Sequence, residues 1–208
     1  MAKPMHIALI DDDPAVLDAL RLYLGGEGLH ASCFNSAEEF TSAPDWATRF
    51  DCVVADVRMQ GASGVDLVRR FFLERVNVPI ILITGHGDVA MAVAAIKLGA
   101  SDFIEKPFDE AGLLKSIQRA AGQREREQKD AAKFAELRLR YQGLSERQRE
   151  VMDLAVDGLS NKDIAARLGI SSRTVEVHRA WMTERMGTSN LAELIRFHMR
   201  LKDSRRDE

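Results

Sequence analysis

Along the first 120 residues, short apolar runs alternate with stretches in which apolar positions recur every three or four residues. The short runs fall at 6–10, 29–34, 52–56, 79–83 and 102–105, and their Val and Ile content predicts strands. Between them, 15–24 carries Val16, Leu17, Leu20 and Leu24 at helical spacing. Helical patterns also fall at 64–72 and 89–98, and Asp109 is placed to cap a last helix from Glu110. Strands each followed by a helix predict an α/β domain with a parallel sheet covered on both faces. Five such units fit a flavodoxin-like, doubly wound five-stranded sheet.

The pattern then changes twice. Residues 123–142 contain neither Gly nor Pro and are highly charged, with Phe134, Leu137 and Tyr141 on one face. They read as a helical linker, with continuation of the preceding helix past Gly122 left open. After Gly143 come short helices with local start and stop signals. "LSERQREVMDLAVDG" starts at Ser145, with Gln148 three residues on, and stops at Gly158. "LSNKDIAARLG" starts at Ser160, with Asp163 three on, and stops at Gly169. "SSRTVEVHRAWMTERM" starts at Ser171 or Ser172, and "NLAELIRFHMRL" closes the domain. Two short helices joined by a tight turn, with two more packed on them, predict an all-α, four-helix helix-turn-helix domain. The expected organisation is therefore 1–122, a link at 123–142, and 143–208.

Charge changes the picture little. The net charge of −3 is the sum of −6 over 1–120, +2 over 121–143 and +1 over 144–208. Bulk charge therefore does not announce nucleic acid, and any DNA contact must come from where a few cations sit. No apolar run approaches the roughly 18–20 residues that span a bilayer. The start, "MAKPMHIALIDDD", lacks a signal-peptide apolar core, so a cytoplasmic protein without a membrane partner is expected. Cys33 and Cys52 lie in strand-like runs and read as buried thiols.

The candidate chemistry sits at the carboxyl ends of the strands, where an open parallel sheet forms its ligand crevice. Asp11 and Asp12 end the first strand, Asp56 the third, Thr84 the fourth, and Lys106 follows the fifth. Three adjacent acids, Asp11, Asp12 and Asp13, serve either as a solvated turn that caps a helix or as part of a divalent-cation site. Carboxylates suit Mg²⁺ or Mn²⁺, which takes a few protein oxygens plus water and phosphate. Asp56 could then act as a nucleophile toward a phosphoryl group, with the metal and Lys106 neutralising its oxygens. An aspartate-nucleophile phosphohydrolase would use the same types, but it needs a second acid two residues after the nucleophile, and position 58 is Arg.

"DDDP", "DVRM", "TGHGD" and "DFIEKPF" resemble the motifs of response-regulator receiver domains over essentially the whole first domain. The resemblance implies a non-enzyme in which Asp56 is the phosphoacceptor. Asp12 and Asp56 would bind the metal directly, Asp11 through water, and the backbone carbonyl of Arg58 would complete the set. Asp13 would lie outside the site. It further implies Thr84 and Phe103 as a conformational switch and a cis peptide at Lys106–Pro107. The family usually has proline four residues after the phosphoacceptor; here Gln60 loosens that loop, either as a tolerated swap or as a change in phosphoryl lifetime.

The tail resembles the LuxR-type helix-turn-helix, and the whole chain resembles the FixJ branch of the NarL/FixJ response regulators. That implies phosphorylation by a sensor histidine kinase, a homodimer when phosphorylated, binding to double-stranded promoter DNA, and RNA polymerase as a further partner. The alternative is a DNA-binding regulator with a degenerate receiver that works without phosphorylation. On the recognition helix, Ser172, Arg173, Thr174, Glu176, Val177 and Arg179 are expected to face DNA, with Lys162 placed for phosphate. Val175, Met182 and Met186 read as core, and His178 as a packed, hydrogen-bonded histidine. Two departures from the family lie here. Trp181 stands where a small polar residue is usual, facing either a protein surface or the DNA backbone. Thr183 replaces an apolar residue. Leu191, Leu194, Ile195 and Met199 on the last helix are placed either for a contact between copies or for packing on the recognition helix. RNA binding lacks exposed aromatic platforms apart from Trp181.

Overall fold

A computed structural model describes residues 4–85, 89–187 and 191–204. Its elements, in chain order, are β1 (His6–Ile10), α1 (Pro14–Gly26), β2 (His30–Phe34), α2 (Ala37–Ser42), α3 (Trp46–Arg49), β3 (Cys52–Asp56), α4 (Gly64–Leu73), β4 (Ile80–Thr84), α5 (Val89–Lys97), β5 (Asp102–Glu105), α6 (Glu110–Gln142), α7 (Glu146–Val156), α8 (Asn161–Leu168), α9 (Ser172–Met186) and α10 (Leu191–Ser204). The chain divides into two compact units, 1–127 and 128–208.

In the first unit the five strands are parallel, in the order β2-β1-β3-β4-β5. Successive side chains point to opposite faces, so each strand feeds two cores. Ala8, Ile10, Val53, Ala55, Ile80 and Leu82 face Phe40 of α2, Leu67, Val68 and Phe71 of α4 and Ala95 of α5. Ile7, Leu9, Cys52, Val54, Ile81 and Ile83 face Leu17, Leu20 and Leu24 of α1 and Leu113, Leu114 and Ile117 of α6. This is the doubly wound sheet that the alternating pattern predicts. The pattern did not reveal α2 and α3, whose apolar content is short and aromatic. Its signal was the Ser36 cap, whose hydroxyl accepts from the Glu39 amide. Phe40, fully buried, is the hub of this region, within ring-packing distance of Phe34, Trp46, Phe50 and Phe71. Cys52 is buried, which pushes its thiol up to about 12. Cys33 is only half-buried, a correction to the expectation that both thiols are enclosed.

Residues 123–142 are helical and continuous with the helix that starts at Glu110, so Gly122 does not end it. Asp109 accepts from the Ala111 amide at its start. In the second unit, Leu137 and Tyr141 of α6 pack with Met152 of α7, Met182 and Met186 of α9, and Leu194, Phe197 and Leu201 of α10. A second cluster joins α7, α8 and α9 through Val151, Ile164 and Val175. The serine caps at 145, 160 and 171 each accept from the backbone amide three residues on. His198, nearly fully buried, lies 3.3 Å from Asp153 and 3.8 Å from Asp157. Tyr141 Oη donates toward Asp153, and Lys202 toward Asp157. Leu194 is core, whereas Met199 is exposed, so the apolar stripe of α10 is divided between packing and solvent. The side chain of Leu191 lies outside the described residues.

Removing the Phe40 ring should destabilise the first unit by about 3–5 kcal/mol, the cost of a large buried cavity. Urea unfolding of Phe40→Ala, followed by circular dichroism, should show a lowered first transition.

Candidate functional site

The register places the strand ends together. Ile10 lies opposite Ala55, Asp56 opposite Ile83, and Thr84 opposite Glu105. With β1 beside β3 at the centre of the sheet, Asp11 and Asp56 emerge side by side, and Thr84 ends the next strand. Lys106 is held there by its own backbone amide, which donates to the Thr84 carbonyl at 2.7 Å. The Lys106–Pro107 peptide is cis.

The Lys106 ammonium donates to Asp56 Oδ1 at 2.7 Å and to Asp11 Oδ2 at 3.0 Å. Both carboxylates are buried, at 7 % and 6 % exposure, so one cation serves two anions in a poorly hydrated crevice. The other oxygens are also engaged. Asp56 Oδ2 accepts from the Arg58 amide at 2.6 Å, and Asp11 Oδ1 from the Asp13 amide at 2.9 Å. Desolvation nonetheless raises the Asp11 carboxyl above its ordinary value, against the lowering by the Asp13 amide and Lys106. Burial pulls Lys106 down, but its hydrogen bonds to Asp56 and Asp11 prevail and raise it. Thr84 is fully buried, and Phe103 is half-buried against the core on the α4 and α5 side.

Asp12 stands apart, exposed on the rim. Its Oδ2 accepts from the Gln60 backbone amide at 3.1 Å. Asp13 caps α1 through the Ala15 amide. The donor set, three carboxylates against one ammonium, fits a hard cation in charge and in ligand type. Among the described residues, however, no three acidic, His or Cys side chains close around a single point; Lys106 lies between Asp11 and Asp56. His86, Gly87 and Asp88 of "TGHGD" lie outside the described residues.

Sequence reasoning missed Gly64, the first residue of α4. A Cβ there would collide with the Asp56 backbone carbonyl and meet Leu82 Cδ2 at 3.0 Å. Glycine is therefore required for α4 to start against the strand end that carries Asp56. The available signal was its place after Ser63, whose hydroxyl and Asp66 form a reciprocal cap.

In the second unit α8 and α9 form the helix-turn-helix. Lys162, Ser172, Arg173, Glu176 and Val177 are exposed. Arg173 pairs with Glu176 at 3.0 Å. Thr174 is half-buried in the Ser171 cap, and Arg179 is half-buried with its guanidinium on Asn161 Oδ1 at 3.0 Å. These two are thus tied into the motif rather than projecting freely. His178 is half-buried, and its Nδ1 is enclosed with no hydrogen-bond partner among the described residues, which corrects the expected hydrogen-bonded histidine. Thr183 is accommodated by donating its hydroxyl to the Arg179 carbonyl at 2.8 Å. At the far end, Arg140 of α6 donates to the Met186 carbonyl at 2.7 Å, beside Gly187 in the left-handed region at φ 63°.

The two units match two family models: residues 7–118 match the response regulator receiver domain, and residues 142–198 match the bacterial regulatory proteins of the luxR family. The transcriptional regulatory protein FixJ of Bradyrhizobium diazoefficiens is 43 % identical over 200 residues, covering 96 % of this chain and 97 % of that one. The response regulator protein TmoT of Ectopseudomonas mendocina is 40 % identical over 198 residues, covering 95 % and 90 %. Among solved structures, full-length FixJ from B. japonicum aligns with a TM-score of 0.62 at 42 % identity, covering 96 % of this chain and 98 % of that one. The response regulator StyR aligns at 0.75 with 33 % identity, covering 96 % and 100 %.

Because the Asp11 carboxyl is raised by burial, its charged form opposes folding above that raised value and costs nothing below the ordinary carboxylate range. Asp11→Asn should therefore raise the urea midpoint at pH 7 in the presence of chelator. The gain should vanish near pH 3, where the native residue is neutral in both states.

Proposed function

Because this chain belongs to the two-component response regulators that join a receiver domain to a LuxR-family DNA-binding domain, we propose that Asp56 is its phosphoacceptor and that charge added there controls its hold on DNA. The chain is FixJ-like, and phosphorylation-dependent regulation of transcription fits its family. A histidine kinase, double-stranded DNA and dimerisation follow from the two domain types. No described helix is long and apolar enough to cross a membrane. The observation that carries the reading is the Asp56 carboxylate, buried at a strand end on one ammonium and one backbone amide.

A carboxylate oxygen of Asp56 attacks the phosphorus of the kinase's phosphohistidine. A P–O bond forms, the P–N bond breaks, and the imidazole leaves with the electron pair. Asp12, Asp56 and the Arg58 carbonyl would hold Mg²⁺ or Mn²⁺, with Asp11 acting through water, and the ion would neutralise the phosphoryl oxygens. Lys106 supplies the second positive charge. Thr84 turns its hydroxyl to the phosphoryl group, and Phe103 moves into the space it leaves. The altered surface around α5, β5 and α6 favours a homodimer, which sets two copies of α9 on a two-fold-related site. Lys162, Ser172, Arg173, Glu176 and Val177 meet that DNA, and Thr174 and Arg179 hold the motif's geometry. RNA polymerase is the further partner of the assembled complex, and the protein works in the cytoplasm.

Intact mass after incubation with Mg²⁺ and a small-molecule phosphodonor should show one added phosphoryl group, absent in Asp56→Asn and absent with chelator. No adduct at any donor concentration would favour a degenerate receiver that acts without phosphorylation.

Gln60 gives a second expected outcome. Its amide occupies an oxygen of Asp12, and proline, with no N–H, could not. Gln60→Pro should bind Mg²⁺ about tenfold more tightly by titration calorimetry, the worth of one hydrogen bond to a charged group. Unchanged affinity would mean that the amide and the ion do not compete.

A further inference from the structure

The arginines of α9 each have a partner within the protein, Arg185 on the Gly143 carbonyl at 2.9 Å. Arg173 is paired with Glu176, Arg179 is turned onto Asn161, and Glu184 adds an acid. The middle of the helix instead exposes Val177 at 39 %, Ala180, and Trp181 at 55 %. Val177 and Trp181 are one turn apart on the same side. Helical side chains lean toward the N-terminus, so the indole covers the surface over the turn that holds Val177 rather than the turn after it. Trp181 thus extends the N-terminal half of the helix, the half that reaches base edges in a helix-turn-helix.

An exposed indole gains by burial, and the major groove offers one strongly apolar feature, the C5 methyl of thymine. We propose that Trp181 is a base-reading residue that packs its indole on a thymine methyl, so that with Val177 it selects thymines in each half-site. The inference rests on the reading of α9 as the DNA-facing helix. Four residues advance a helix by about 6 Å, so the thymine met by Trp181 lies within about two base-pair steps of that met by Val177.

Full-length protein treated with phosphodonor would first select duplexes from a random-sequence pool. In the best duplex each thymine is then replaced singly by deoxyuridine, which removes only the methyl. The wild-type protein should lose about fourfold in affinity at one or two positions, the worth of one buried methyl. At the thymine met by Trp181 that loss should disappear in Trp181→Ala and persist in part in Trp181→Leu, while any loss at the thymine met by Val177 remains, with circular dichroism confirming that both variants are folded. If wild type and Trp181→Ala lose equally at every thymine, or if Trp181→Ala weakens all duplexes alike, the inference is overturned. If the wild type enriches no sequence at all, the reading of α9 itself fails, and the inference fails with it.

Discussion

One ammonium between two buried carboxylates governs the first unit. Lys106 reaches Asp11 and Asp56 only because its own amide is fixed on the Thr84 carbonyl and because β1 and β3 are neighbours. The sheet order, the register and the start of α4 at Gly64 all converge on the few ångströms around Asp56. The arrangement leaves an excess of negative charge where water is scarce, a state that a bound cation would relieve. Stability and reactivity at this point are therefore in tension, which is common where a site is built to change its charge.

Much of this was legible along the chain. Short apolar runs, each followed by a helix of period 3.6, give the doubly wound sheet, and the strand-end position of Asp56, Thr84 and Lys106 follows from it. The contacts that hold the site were less legible because they come from the backbone. The Gln60 amide on Asp12 is one such contact: judged as a side-chain swap, glutamine for proline only loosens a loop, whereas the structure shows a donor gained. The collision that keeps residue 64 a glycine likewise depends on the Asp56 carbonyl, which no spacing reveals. In the tail, Arg179 looked outward by periodicity, yet Asn161 of the neighbouring helix draws its guanidinium in.

The helix α6 shows how one element changes its role along its length. Leu113, Leu114 and Ile117 seal one face of the sheet, residues 125–133 are exposed throughout, and Leu137 and Tyr141 are core in the second unit. A helix polar on all sides in its middle is held by its ends and by pairs such as Gln123 with Glu127 and Arg140 with Glu136. Arg140 also meets the Met186 carbonyl at the end of α9, where a cation complements the helix dipole. The same turn of α6 thus packs against α9 and complements its end.

The local caps of α7, α8 and α9 bear on how the chain comes into being. Each of these helices begins at a serine that satisfies an amide three residues on, and their partners are near in sequence. The sheet has no such economy, since Ile7 must find Cys52, and its second face stays open until Leu113, Leu114 and Ile117 exist. Domains with near-neighbour contacts fold faster than those that close long loops, and synthesis proceeds from the N-terminus. The portion made last is the portion that folds most readily. A newly released chain therefore completes its helix-turn-helix half readily, while the sheet half begins earlier and finishes more slowly.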